Sequence, residues 1–457
     1  MNKLLLIAAA LTAIAISALL FPNGAAGVLV CLLASVIAVA LIYNFTGNDL
    51  ITRRFLLNIF VVALLFRVMI AVVTDLYSLQ AFFCPDAIAF DETGAYITSQ
   101  WRGEQFSTIY RESVETFSDL RISGWGISYL AAVFYMVLGR NPLAVQMFIS
   151  VLGAATPVLV YVCAKQLYGN ERVSRLSAIF IALFPSMALW SSQVLKDGVV
   201  IFFLVLTLCV VSRLQKRFSF AYLALLFFCI AGISAFRFYI LFALVPAIIA
   251  GFVIDPQKSV RYLVVRTGGF LLIAVFLSYL GFSNSIEKSL GTEGYTLDRL
   301  SANRQYLATA DSGFGRDLDV RTAQGLSVAL PVGFTYLMFA PFPWDVTNFR
   351  QSVTIPEVLV WWSLIPFLIY GLWYTIRHRL RHAIAILLFL FILTITYSIS
   401  QGNVGTAYRQ RSQIQVFYFV FISVGLSIVL ERRDDAKRLR SIRLAKLRQT
   451  RQVNVGI

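Results

Sequence analysis

Pro85-Asp86-Ala87-Ile88-Ala89-Phe90-Asp91-Glu92-Thr93-Gly94-Ala95-Tyr96 sets three carboxylates between hydrophobic blocks. Three apolar segments precede it and many more follow. Around it, residues 75–142 read as a mostly polar loop against the membrane. An ionised acid at a bilayer boundary is costly to desolvate, so Asp86, Asp91 and Glu92 are functional candidates by position alone. The plain alternative is that they only solvate the loop.

The composition around this stretch decides the class. The chain has 457 residues, 59% hydrophobic and only 14% charged, against about 25% charged in soluble proteins. It reads as an all-α polytopic membrane protein, and residues 1–457 as a single membrane-embedded unit. The bilayer rather than a central core sets its architecture. A formal net charge of +16 would point to nucleic acid in a soluble chain. Here it is concentrated in short loops and in the tail 431–457, which carries nine Lys and Arg, so it reads as topology. The tail is a basic cytoplasmic segment near anionic lipid. Cys31, Cys84, Cys163, Cys209 and Cys229 make no disulfide framework, and no Cys/His spacing suggests zinc. Nothing calls for a metal or a cofactor.

Hydrophobic runs then give the order of spans. Residues 1–27 fit a cleaved signal peptide or an uncleaved first helix, and the long run from Leu4 to Leu20 favours the helix. Further spans are predicted at 28–43, 55–73, 143–164, 173–192, 197–213, 219–235, 237–254, 263–282, 357–375, 381–399 and 413–430. Two apolar runs, Gly124–Gly139 and Leu326–Pro341, are short or proline-broken. If both crossed, nine basic residues in the clusters at 165–175, 213–217 and 258–266 would lie on the wrong face. The charge bias therefore predicts about twelve spans, both termini inside, and two interfacial helices outside. It also places the regions 75–142, 283–356 and 400–412 outside.

Several residues in those outer regions could carry chemistry. Asp91, with Glu92 or Asp86 in support, could act as general base toward an acceptor. Lys196-Asp197 lies at an outer helix boundary. Arg237 falls at an outer turn where the topology rule disfavours a cation, and its planar fork suits phosphate. The glycines of Gly402–Arg411 would let backbone N–H groups approach an anion, and that loop adds Arg409 and Arg411. Each arginine could equally contact a lipid headgroup. Asp317-Leu318-Asp319 is a weak metal signal that a solvated loop explains. Arg67, inside a span, reads as a structural residue.

These motifs together resemble the GT-C superfamily of polytopic glycosyltransferases, such as protein O-mannosyltransferases and aminoarabinose transferases. Asp91-Glu92 followed by Tyr96 is similar to the acidic motif of that family's first outer loop. Gly126–Gly139 resembles the interfacial helix after it. Lys165–Gly169, Leu183-Phe184-Pro185-Ser186, Trp190-Ser191-Ser192 and Leu195-Lys196-Asp197 continue the likeness, which covers about residues 75–215. Two spans precede the one leading into the acidic loop, where the family usually has none. The motifs Pro341–Asp345 and Gly402–Arg411 have no counterpart in the mannosyl- or aminoarabinosyltransferases.

The resemblance implies an enzyme moving a sugar from a polyprenyl-phosphate donor to a glycan, lipid or protein acceptor at the outer face. The positive-inside pattern suits a bacterial inner membrane. In that scheme Asp91 is the base and Arg237 meets the phosphate, with Arg409 and Arg411 next, while Lys196, Asp197 and Tyr96 hold the substrate. A polysaccharide polymerase or ligase would depend on the loop arginines more than on Asp91. A flippase would bury charges at mid-membrane and show related halves, and no such repeat is present.

Overall fold

The computed structural model describes residues 24–105, 124–216, 218–253, 297–346 and 348–455. Among these the chain is helical, with no strand and one isolated bridge, Gly313 to Asn403. Apolar spans form helices because no water is present in a bilayer to pair stray backbone groups. In chain order they are α1 (Gly24–Thr46), α2 (Leu50–Leu76), α3 (Gln80–Phe83), α4 (Pro85–Arg102), α5 (Gly126–Leu138), α6 (Pro142–Tyr168), α7 (Glu171–Leu183) and α8 (Pro185–Trp190). There follow α9 (Lys196–Lys216), α10 (Phe220–Arg237), α11 (Leu241–Val253), α12 (Leu297–Ala308), α13 (Ala323–Phe339), α14 (Phe349–His378), α15 (Leu380–Ser400) and α16 (Val404–Val455).

Eight helical stretches among the described residues are long and apolar enough to cross a membrane. One of them, Phe220–Phe252, is α10 and α11 joined through a 3-10 turn at Phe238–Ile240. The two helices run in opposite directions beside α9. Arg237 meets Asp197 at one end of α9, and Gln215 donates to the Gly251 carbonyl at the other, 2.5 Å away. The turn predicted at Arg237 is therefore present. Gly126–Leu138 and Ala323–Phe339 are 13 and 17 residues long, short for a crossing, as the sequence suggested. The predicted spans at 4–20 and 263–282 lie outside the described residues.

Two expectations change. The stretch after Asp75 is not a loop through its first part. Residues 80–102 fold into α3 and α4, with Pro85 at the first turn of α4 and Gly103 closing it in the left-handed conformation. The predicted span 173–192 is not one helix, because it breaks at Phe184 before Pro185. Pro185 has no N–H to give the Ile181 carbonyl, and buried Arg67 replaces that donor. Its Nη2 reaches Ile181 O at 3.4 Å, its Nη1 reaches Ala182 O at 3.3 Å, and its Nε donates to Ser191 Oγ at 2.7 Å. The freed Ser186 N–H donates instead to Glu357 Oε2, 2.7 Å away. Arg67 thus repairs a broken helix, a structural task.

The bundle has two distinct ends. At one lie the N-termini of α9 and α16 and the C-termini of α2, α8, α10 and α15. At the other gather Lys165, Arg175, Arg172 and Lys216, with Arg172 paired to Asp434 and Asn170 bonded to Glu431.

Candidate active site

Asp197 is the hub of the first end. It falls in the first turn of α9, where the partial positive charge of a helix N-terminus favours a carboxylate. Its side chain has no exposure, and two arginines from distant segments close on it. Arg237 reaches Oδ1 from the end of α10, with its backbone already out of the helical range at φ −151 and ψ 79. Arg409, one and a half turns into α16, donates from Nε to Oδ2 at 2.5 Å. Gln413 lies one turn beyond Arg409 on the same face and reaches Oδ1 at 3.3 Å. Behind them, Tyr397 donates to Gln413 Oε1 at 2.6 Å and Arg237 donates to the Tyr239 hydroxyl at 2.5 Å.

Arg409 also bonds Asp86 through Nη1. Asp86 stands in the first turn of α4 with its side chain 55% exposed. Four residues on, the Phe90 ring lies 5.4 Å from Lys196 Nζ, so this face of α4 covers the cationic group. Gly124 passes the same ammonium at φ +101, and a Cβ there would stand 2.8 Å from Lys196 Nζ. The left-handed backbone there favours glycine. The assembly holds Lys196, Arg237 and Arg409 against Asp197 and Asp86, one cation in excess. It also keeps donors in reserve. Arg409 Nη2, Arg237 Nε and Trp190 Nε1 are buried without a partner among the described residues, and the Trp190 ring lies 5.9 Å from the Arg409 guanidinium carbon. Such a set can take up a tetrahedral oxyanion while a carboxylate stands beside it.

The other predicted residues go elsewhere. Asp91 lies five positions after Asp86, about 140° around α4, and faces α5. There it accepts a hydrogen bond from the Tyr135 hydroxyl and an ion pair from Arg140 at 2.5 Å, with only 13% of its side chain exposed. Burial, then the Asp91 carboxylate, pushes the Tyr135 phenol well above its ordinary range, so it stays a donor. Glu92 adds negative charge near Arg140, and Tyr96 is half-buried further along α4. Gly94 lets α5 come close, since a Cβ there would meet the Ala131 Cβ at 2.7 Å. Arg411 points away from Arg409, two positions off on α16. It is buried under the Tyr408 ring and donates to the Met338 and Ala340 carbonyls at 3.2 and 3.0 Å. Asp319 accepts from Ser301 and pairs with Arg321.

Two members of this end were not picked out from the sequence, Gln413 and Glu357, and Trp190 was named only within the motif Trp190-Ser191-Ser192. Gln413 could have been found from its i+4 spacing to Arg409. Glu357 accepts from Ser186 N–H and from the Tyr408 hydroxyl at 2.8 Å, and no local pattern marks it.

The family model described as dolichyl-phosphate-mannose-protein mannosyltransferase matches residues 124–282. Over that stretch the chain is similar to dolichyl-phosphate-mannose-protein mannosyltransferases. The matched stretch carries Lys196, Asp197 and Arg237, while Asp86 and Arg409 lie on either side of it. Among solved structures, the archaeal oligosaccharyltransferase AglB from Archaeoglobus fulgidus, in complex with an inhibitory peptide and a dolichol-phosphate, aligns at 15% identity with a TM-score of 0.38. That alignment covers 70% of this chain and 44% of the other, so this chain spans less than half the length of that protein. No curated protein matches the chain.

Proposed function

We propose that this protein is a membrane glycosyltransferase that moves a sugar from a polyprenyl-phosphate donor to a hydroxyl- or amine-bearing acceptor at the end of the bundle where Asp197 lies. The observation that carries the reading is Arg409, which binds buried Asp197 on one side and exposed Asp86 on the other. One group thereby joins a desolvated cationic cluster to a carboxylate open to substrate.

In this scheme the donor phosphate is held by Arg409, Arg237 and Lys196, with the Trp190 N–H at its edge. The acceptor O–H or N–H attacks the sugar anomeric carbon while the carbon–oxygen bond to phosphate breaks. Asp86 takes the acceptor proton, and the electron pair leaves on the polyprenyl phosphate, whose added charge the arginines stabilise. Attack from the face opposite the phosphate inverts the anomeric centre. Asp86 fits the base role better than Asp91, since Asp91 has both oxygens engaged by Tyr135 and Arg140. The basic residues at the far end of the bundle support an extracytoplasmic site, and the same charge pattern suits a bacterial inner membrane. The acceptor is a glycan, lipid or protein of the envelope.

Sugar transfer from a synthetic polyprenyl-phosphate sugar in detergent tests the reading. Asp86→Asn keeps size and polarity but cannot take the proton, so transfer should fall about 10²-fold or more with folding unchanged. Full transfer by Asp86→Asn, with loss in Asp91→Asn, would return the base to Asp91. Movement of an intact lipid-linked saccharide across a bilayer, with no transfer, would favour a flippase.

A further inference from the structure

Arg304 has no part in the cluster around Asp197, yet it is a fully buried cation on α12. Nε, Nη1 and Nη2 all lack a protein partner among the described residues. The nearby acids do not neutralise it: Asp311 and Asp317 are exposed, and Asp319 is bonded to Ser301 and Arg321. An arginine cannot shed its proton to escape this position, as a buried lysine can. Its surroundings are shaped to the guanidinium. The Phe314 ring lies 5.8 Å from the guanidinium carbon and stacks on Tyr336 at 4.0 Å. Gly315, at φ +61, passes so near that a Cβ would stand 2.8 Å from Arg304 Nη2.

The position ties Arg304 to the start of α16. Phe314 N–H donates to the Gly402 carbonyl at 2.7 Å and Val404 N–H to Ser312 O at 2.9 Å. A Cβ on Gly402 would lie 2.4 Å from the Arg304 carbonyl oxygen. Arg409 follows five residues into that helix, about 8 Å along its axis. Arg304 thus stands on a short helix outside the apolar spanning stretches, beside the backbone that opens the helix carrying Arg409.

We infer that Arg304 binds an anionic oxygen group, a carboxylate or phosphate, carried by the acceptor, and that the loop 309–318 with Gly313 and Gly315 opens to admit it. The inference rests on the transferase reading and narrows it to an acidic acceptor. A guanidinium offers two parallel N–H donors to such a group, and the aromatic wall strengthens the bond by keeping water out.

Thermal unfolding of the full chain in detergent reads binding without requiring transfer, so a failed transfer assay would leave this test standing. The probes are glucuronate, neutral glucose, and dodecyl phosphate as a lipid-phosphate headgroup. Glucuronate should stabilise the unmodified protein and glucose should not. The half-maximal glucuronate concentration should rise about tenfold or more in Arg304→Met. It should rise less in Arg304→Lys, which keeps the charge and answers the same question should the methionine variant fail to fold. The dodecyl phosphate response should survive both Arg304 variants and weaken in Arg409→Gln. An unchanged glucuronate response in both Arg304 variants, or none in the unmodified protein, would overturn the inference. A dodecyl phosphate response that falls in Arg304→Met while glucuronate binding persists would overturn the assignment to the acceptor.

Discussion

Replacing Asp197 with asparagine removes one charge and almost no volume, and the structure states what that should cost. The carboxylate has no exposure, its partner Arg237 is 6% exposed, and Arg409 is 16% exposed, so solvent screens little of the interaction. Two charge-assisted hydrogen bonds are weakened, each worth about 1.5–3 kcal/mol. Two guanidinium groups and the nearby Lys196 are then left with only Asp86 as a counter-charge. Breaking a buried ion pair by removing one partner costs about 3–5 kcal/mol, and Asp197→Asn should fall in that range. A double-mutant cycle separates the pair from general damage. Arg237→Gln alone should also destabilise, while Asp197→Asn with Arg237→Gln should be milder than the sum by about 1–3 kcal/mol. Unfolding in a graded series of denaturing detergent, followed by tryptophan fluorescence, gives the four stabilities. Coupling below about 0.5 kcal/mol would mean that Asp197 and Arg237 do not act as a buried pair, and the hub at the start of α9 would have to be abandoned.

The remaining predictions are shorter. Arg67→Met should destabilise by about 2–4 kcal/mol, because it strands the Ile181 and Ala182 carbonyls and the Ser191 hydroxyl contact; wild-type stability would refute its role at the helix break. Arg411→Lys should disturb folding more than donor use, since its contacts are the Met338 and Ala340 carbonyls, whereas Arg409→Lys should raise the donor KM with the protein still folded. Tyr135 holds its proton more tightly folded than unfolded, so the stability tied to it is complete below about pH 10 and is lost as pH rises through the higher folded value. Tyr135→Phe should therefore flatten the alkaline limb of a stability–pH curve, and an unchanged limb would count against that burial. A cysteine placed at position 170, in a background without native cysteines, should react with an impermeant reagent only from the cytoplasmic side.

Much of this protein follows from composition and length. Whether a segment crosses a bilayer depends on its own apolar residues, so spans such as α1, α2, α6, α9, α14 and α15 could be placed from local sequence, while the predicted span 173–192 is two helices. So could the shortness of Gly126–Leu138 and Ala323–Phe339 and the turn at Arg237. The basic clusters could be sorted to one end because charge bias is also a property of each loop. The candidate residues Asp86, Lys196, Asp197, Arg237 and Arg409 were visible for the same reason, as charges at the edges of apolar runs. Their partnerships were not. Reading residues 80–102 as loop hid the helical phase that turns Asp86 toward Arg409 and Asp91 toward Tyr135 and Arg140. Two residues of α16, Arg409 and Arg411, look alike in sequence, yet a 200° rotation sends one to Asp197 and the other to the Met338 and Ala340 carbonyls. Arg67 supplies hydrogen bonds that Pro185 cannot, across more than a hundred residues. Burial and pairing of a charge depend on which distant segments pack around it, and only the tertiary structure brings those segments together.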